Sequence, residues 1–530
     1  MRSIPSPDGG LVAERLSSGV TGLDDILGGG FPANRVHLIL GTPGTGKTTM
    51  GLQFLLEGAR RGERVLYVTL SETLDEIRSV AQSHGWSLEG ITVRELVPSE
   101  ESLRREAEYT ILHPAEVEMG ETIRMVLDEV DRTKPTRVVF DSLAELRLLA
   151  GDPLRYRREV LGLKQFFAGR RCTVLLLDSA GGREGRESDL ASVAHSVLEL
   201  EQLAPQYGGE RRRLRIVKLR GGRYRGGRHD FVIHTGGLMV FPRLVAAEHH
   251  ESYPSELVSS GVRGLDALLG GGLPRGTSAL FVGPAGAGKS VLTTQYAVAA
   301  ASRGGRAAIY VFDESVQTFV ARSDGLGLGL RDLIAAGRID LQQLDPAQLS
   351  PGEFVQHVRE AVEERSASVV VVDSLNGYLN AMAEERSMIV QLHELLTYLG
   401  QRGVLTLLTV AQHGLVGEIM RAPLDASYLA DTVILLRYFE AAGQLRQAIS
   451  VIKKRVGPHE RTIRELKLGP GVQLGEPLRD FQGVLAGLPT FMGTQQSLLN
   501  NGGRTDRVVD QVAADLDEAE SGYERGHAGQ

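Results

Sequence analysis

"RVHLILGTPGTGKTTM", Arg35 to Met50, runs an apolar strand into a glycine-rich loop and the loop into a helical pattern. In "GTPGTGKT", Gly41 to Thr48, the glycines let the backbone wrap an anion, because a side chain there would clash or forbid the positive φ angles the wrap needs. The lysine and threonine that close the loop complete the phosphate-binding P-loop pattern, and its place between strand and helix is the one the mechanism requires. Gly44, Thr45, Gly46, Lys47, Thr48 and Thr49 are therefore expected around a nucleoside triphosphate, with Lys47 on the β- and γ-phosphates and the Thr48 hydroxyl on Mg²⁺.

The pattern is written twice. "LSSGVTGLDDILGGGFP", Leu16 to Pro32, returns 242 positions later as "VSSGVRGLDALLGGGLP", Val258 to Pro274. The same offset carries Gly41 onto Gly283, Lys47 onto Lys289 and Glu72 onto Glu314. The second loop is "GPAGAGKS", Gly283 to Ser290, with Gly286, Ala287, Gly288, Lys289 and Ser290 in the matching roles. The repeating unit is a whole domain, far longer than the roughly 20–50 residues of a solenoid repeat. Each copy continues in apolar runs, "RVLYVTL", "TRVVFD" and "CTVLLLD" in the first, "AAIYVF", "SVVVVD" and "VLTLLTV" in the second. These runs alternate with amphipathic patterns such as "ERSMIVQLHELLTYLGQRG", which predicts an α/β fold with a mainly parallel sheet covered by helices on both faces.

The polar, proline-containing stretch "VAAEHHESYPSE", Val245 to Glu256, divides the chain into domains at 1–247 and 248–490, and the polar residues 491–530 read as a flexible tail that docks a signalling partner. A chain of 530 residues, 42% hydrophobic and 24% charged, has the composition of a globular protein of more than one domain. Its single cysteine, Cys172, lies in an apolar run and excludes an internal disulfide. With no apolar run long enough to cross a bilayer and no signal-peptide pattern at the start, the sequence reads as cytoplasmic with no membrane partner. A net charge of -7 and an aromatic content of 5% argue against nucleic acid as the partner, although "GGERRRLRIVKLRGGRYRGGR" keeps a nucleic-acid motor as an alternative.

Acids follow each loop. "VVFDS" and "VVVVDS" end apolar strands in Asp141 and Asp373, which are expected to hold Mg²⁺ with Thr48 and Ser290. "LYVTLSET" and "IYVFDES" end in Glu72 in the first copy, and in Asp313 followed by Glu314 in the second. In a parallel sheet the ligand lies at the carboxyl ends of the strands, so these side chains face the phosphates and can orient or deprotonate an attacking oxygen.

The paired loops, the "SSGV.GLD..LGGG.P" opening and the acidic strand ends resemble the KaiC family of circadian-clock ATPases and autokinases, over about Leu16 to Leu488. The resemblance implies two RecA-like domains, a homohexameric double ring with ATP at subunit interfaces, and autophosphorylation of serine or threonine on the second domain. In the family the first acid of each strand-end pair is the general base. Asp313 matches that position in the second domain, whereas Ser71 stands there in the first and only Glu72 is kept. The family's phosphorylated pair falls on Ser427 and Tyr428 in "LDASYLADTVILLRY". Basic residues that reach a neighbour's nucleotide fall on Lys218 and Arg220, and on Lys453 and Arg455; Ser83 falls where the family touches the first nucleotide. A kinase-inactive ATPase switch read by a partner at the tail is the alternative within the same fold.

Overall fold

The computed structural model describes residues 14–96, 114–179, 187–204, 208–380, 385–412, 428–441, 443–485 and 490–492. Ser427 and nearly all of the expected tail lie outside the described residues.

The first sheet is built from β1 (Val36–Gly41), β2 (Val65–Thr69), β3 (Ile91–Glu95), β4 (Arg137–Asp141), β5 (Thr173–Ser179), β6 (Ser196–Leu203), β7 (Arg211–Leu219), β8 (Arg228–His234) and β9 (Gly237–Phe241). The second is built from β10 (Ser278–Gly283), β11 (Ala307–Val311), β12 (Ile339–Gln343), β13 (Val369–Asp373), β14 (Leu405–Ala411), β15 (Thr432–Ala441), β16 (Gln444–Lys454), β17 (Arg464–Gly469) and β18 (Gly471–Pro477). The helices that matter for the sites are α1 (Lys47–Arg60), α2 (Leu74–Ser83) and α3 (Leu143–Ala150) in the first half, and α4 (Lys289–Ser302), α5 (Val316–Gly325), α6 (Pro351–Glu363) and α7 (Leu375–Asn380) in the second.

Among the described residues both sheets have nine strands in the same order, β9-β8-β7-β6-β1-β5-β4-β2-β3 and β18-β17-β16-β15-β10-β14-β13-β11-β12. The block from β6 to β3 is parallel, and β6 to β9 close the sheet antiparallel; the second sheet repeats this. The expected α/β fold of two tandem, mainly parallel sheets covered by helices is the fold observed. The loop-bearing strands β1 and β10 are central and buried along their whole length, which is why "VHLILG" and "SALFVG" read as continuous runs rather than alternating ones.

Beyond the parallel block the pattern changes to alternation. In β7, "RRRLRIVKL", Leu214, Ile216 and Leu219 turn inward while the basic residues lie outward or at the rim. The basic run thus becomes a set of cross-strand charge pairs, Arg215 with Glu199, Arg213 with Asp230, and Arg228 with Glu201, rather than an open stripe.

The domains meet at β8 and α6. The Gly352 amide at the start of α6 donates to Asp230 Oδ2 at 2.8 Å, and a Cβ at Gly352 would stand 2.9 Å from that of Asp230, so only glycine fits. Leu244 and Ala246, after β9, are buried in the second domain's core.

The two cores are not copies in detail. Arg137, at the start of β4, is fully buried, makes a two-pronged pair with Glu63 at 2.8 Å on each prong, and donates to the carbonyls of Ser17 and Phe54. Gly58 of α1 leaves room for it, since a Cβ there would stand 2.7 Å from Arg137 Cδ. Val369 begins the corresponding strand of the second domain.

Candidate functional site

Each P-loop is a strand end folded onto a helix start. Gly44 and Gly46 take φ of 82° and 92°, and Gly286 and Gly288 take 76° and 100°, the left-handed region that side chains resist. The lysines close the loops: Lys47 Nζ donates to the carbonyls of Gly41 and Thr42 at 2.8 and 3.0 Å, and Lys289 Nζ to those of Gly283 and Pro284 at 3.0 and 2.8 Å. Burial lowers the pKa of both ammonium groups, and Asp141 and Asp178 around Lys47, like Asp373 near Lys289, work against that shift. The amides of each helix start, with a cation at their centre, form an anion cradle.

In the first cradle Asp141 is tied on one oxygen, Oδ2, by the Thr48 hydroxyl at 2.8 Å and the Tyr67 hydroxyl at 2.7 Å. Glu72 stands close by with its Oε2 buried and, among the described residues, without a hydrogen-bond partner. Burial first, then the negative charges of Asp141 and Glu76, push the Glu72 carboxyl above the usual carboxylate range. A buried, unpartnered carboxylate oxygen beside a metal-type aspartate is poised to accept a proton. Ser71, next to it, is exposed. Beneath the loop Asp178, nearly fully buried on β5, pairs with Arg147 of α3; Val410 holds its register position in β14.

The second cradle opens into a cavity of about 520 Å³. Gly286, Gly288, Lys289, Ser290, Asp313, Glu314 and Asp373 all line it, so the structure brings these expected residues to one place. The partners differ from the first site. Asp373 Oδ1 accepts from the Thr409 hydroxyl at 2.5 Å, and Asp313 Oδ2 accepts from the Ser374 hydroxyl, which anchors one oxygen of the carboxylate. Glu314 is held in an ion pair with Arg322 of α5, while Glu72, its counterpart, carries the unpartnered oxygen. Ala287 packs into the core beneath the loop.

A hydroxyl and a carboxylate beside a phosphate cradle form a hard oxygen donor set that suits Mg²⁺, which takes few protein ligands and completes its shell with water and phosphate oxygens. Thr48 with Asp141 fits this at 2.8 Å, and Ser290 and Asp373 share the second cavity. Among the described residues no cluster of three or more His, Cys, Asp or Glu would hold a metal with protein ligands alone.

The basic residues stand apart from the cradle of their own chain. Lys218 Nζ donates to the carbonyls of Ala191, Ser192 and Ala194, and Arg220 to that of Ser192 at 2.8 Å, on the segment leading into β6. Lys453 Nζ donates to the Ala430 carbonyl at 2.8 Å and Arg455 to that of Tyr428 at 2.7 Å, on the matching segment before β15. The side chain of Tyr428 is exposed, and Ser427 beside it lies outside the described residues. Ser83 turns its hydroxyl back onto the Val80 carbonyl at 2.8 Å. Tyr67, Thr409, Ser374, Arg322 and the pair Asp178–Arg147 escaped sequence reasoning. Aligning the two copies was the available signal, since Tyr67 falls on Ile309 and Asp178 on Val410.

A family model described as the KaiC ATPase matches residues 16–245 and again 258–473. Among curated proteins, the circadian clock protein KaiC3 of Synechocystis is 26% identical over 489 residues, covering 90% of this chain and 95% of its own length. The circadian clock oscillator protein KaiC of Synechococcus elongatus is 27% identical over 487 residues, covering 89% and 91%. That of Thermostichus vulcanus is 26% identical over 516 residues, covering 93% and 95%. Among the described residues no helix is long and apolar enough to cross a membrane.

Proposed function

The chain belongs to the KaiC family of ATPases, and from that premise we propose that it is an oligomeric, ATP-driven signalling ring whose second domain phosphorylates a hydroxyl of its own chain. The carrying observation is the placement of Asp313. It lines the cavity of the second P-loop with Lys289, Ser290 and Asp373, and the Ser374 hydroxyl fixes one of its oxygens while the other is left to take a proton.

In this reading Lys289 and the amides of the loop hold the β- and γ-phosphates, and Ser290 and Asp373 would hold Mg²⁺, which supplies charge neutralisation when bound. Asp313 accepts the proton of the attacking hydroxyl at its free oxygen, and Ser374 keeps the carboxylate aimed. The acceptor is Ser427, with Tyr428 beside it. In the first domain Glu72 takes the proton of an attacking water, because, unlike its counterpart Glu314, it has no cation among the described residues. Lys218 with Arg220, and Lys453 with Arg455, serve the cradle of the neighbouring subunit in a homohexamer; their position away from their own cradle supports this. The ring works in the cytoplasm, and the tail beyond residue 490 docks a partner.

Incubation with ATP followed by phosphosite mapping tests the kinase step. Phosphate is expected within residues 424–431 and is lost in Ser427→Ala. ATP turnover with no phosphate there under any condition overturns it and leaves an ATPase switch.

A further inference from the structure

The two cradles match at the phosphate end and part at the other. The cavity of the second site runs from Lys289 past Val291 to Leu326 and Leu468. With phosphates on the loop, that far end is where a nucleoside lies. The first domain supplies Thr49, His84 and Ile233 at the same three places. Thr49 and Val291 each follow the loop lysine by two residues. Ile233 and Leu468 each cover the last loop glycine, 2.5 Å from a Cβ built on Gly46 and 2.7 Å from one on Gly288. His84 and Leu326 each accept, at their backbone carbonyl, the amide of the equivalent glycine, Gly236 at 3.1 Å and Gly471 at 2.8 Å.

The second site thus ends in an aliphatic wall, and the first in a hydroxyl and an imidazole. The hydrogen bonds of His84 assign its tautomer. Its Nδ1 is 3.0 Å from the His234 carbonyl, which can only accept, so Nδ1 carries the hydrogen. In the neutral ring Nε2 is then a lone pair, and it faces the Thr49 hydroxyl at 3.4 Å, long enough to leave it open to a better donor. The ring is held against Trp86, with centroids 4.7 Å apart, and Trp86 in turn lies against Gly237, where a Cβ would stand 2.4 Å from its ring.

We propose that His84 is a specificity-determining residue that makes the first site selective for the nucleoside. Its Nε2 accepts a hydrogen bond from an N–H or O–H of the bound nucleotide, either the 6-amino group of adenine or a ribose hydroxyl. The second site, bounded by Val291, Leu326 and Leu468, holds the nucleoside by packing and tells analogues apart weakly. The inference rests on the reading that both loops bind ATP.

Trp86 is the only tryptophan, so its emission reports the first site within the intact chain. Calorimetric titration of the full-length protein with ATP, GTP, 2′-deoxy-ATP and 3′-deoxy-ATP, with Trp86 emission followed in parallel, measures both sites. ATP is expected to shift the emission. The analogue lacking the donor, GTP for the amine or a deoxy nucleotide for the hydroxyl, should bind the first site about tenfold more weakly than ATP. The second site should hold all four within about threefold. His84→Leu should bring the first site to the second site's level of selectivity while ATP still binds, and Leu326→His should raise selectivity at the second. The proposal is overturned if Trp86 is blind to ATP while both sites fill, if the first site binds all four nucleotides alike, or if His84→Leu leaves the ratios unchanged. Should His84→Leu fail to fold, Leu326→His decides, and unchanged selectivity there overturns it. Absence of any ATP binding to the unmodified chain is a different failure, that of the nucleotide reading itself.

Discussion

The first and second P-loop sites are the same cradle with different partners around their acids. In the first, Glu72 is pushed toward protonation by burial and by Asp141, and has no cation among the described residues, while the position before it is a serine. In the second, the matching Glu314 is neutralised by Arg322, and the preceding Asp313 is aimed by Ser374. In the proposed function the two loops bind phosphate in one way, while the proton acceptor beside them moves by one residue with the exchange of the partners around it. What separates the two sites in the structure is what pairs with each carboxylate.

The comparison can be broken most sharply through the acids. Glu72→Gln, measured in a Lys289→Ala chain so that only the first site turns over, should slow hydrolysis by about 10²-fold or more. Glu314→Gln, measured in a Lys47→Ala chain, should change second-site turnover by less than about fivefold, because its carboxylate already serves Arg322. Equal losses would erase the distinction. The cores offer the next test. Arg137→Ala leaves Glu63 facing a cavity and should destabilise the first domain by about 3 kcal/mol in denaturant unfolding, with the second domain's transition in place. Ser71→Asp places a carboxylate where Asp313 stands, within reach of Ser142 as the counterpart of Ser374, and should raise first-site turnover several-fold, by about 1 kcal/mol of barrier.

The smallest effect is electrostatic. A base must be ionised, so first-site turnover should rise with pH through a Glu72 pKa above the usual carboxylate range. Removing the charge of Glu76 favours the ionised form of Glu72, so in Glu76→Gln the acid limb of kcat/KM should move to lower pH. Glutamine keeps the cap that Glu76 makes with Thr73, so the helix start survives the change. An acid limb that stays in place would show that Glu76 does not act on Glu72.

What was legible in the sequence follows from what is local. Strand, loop and helix occupy adjacent residues from Val36 to Arg60, and their spacing alone specifies the cradle; the offset of 242 then gives the second domain. The loss of the acid at Ser71 was equally plain. The partners were not, because they come from other strands: Tyr67 reaches Asp141 across β2 and β4, and Thr409 reaches Asp373 across β13 and β14. Arg322 finds Glu314 only once the turn into α5 is folded. The basic run misled by density, since its charges meet acids on β6 and β8 that a linear reading does not set beside it. Ser427 and nearly all of the tail lie outside the described residues, so their roles rest on the sequence and on the family.

The division of labour is tested most directly by mapping phosphate after incubation with ATP in the unmodified chain and in Asp313→Asn. The predicted result is phosphate within residues 424–431 of the unmodified chain, its loss by about 10²-fold or more in Asp313→Asn, and first-domain ATP turnover retained in both. Phosphate at that segment to the same extent in both chains, or in neither, would contradict it.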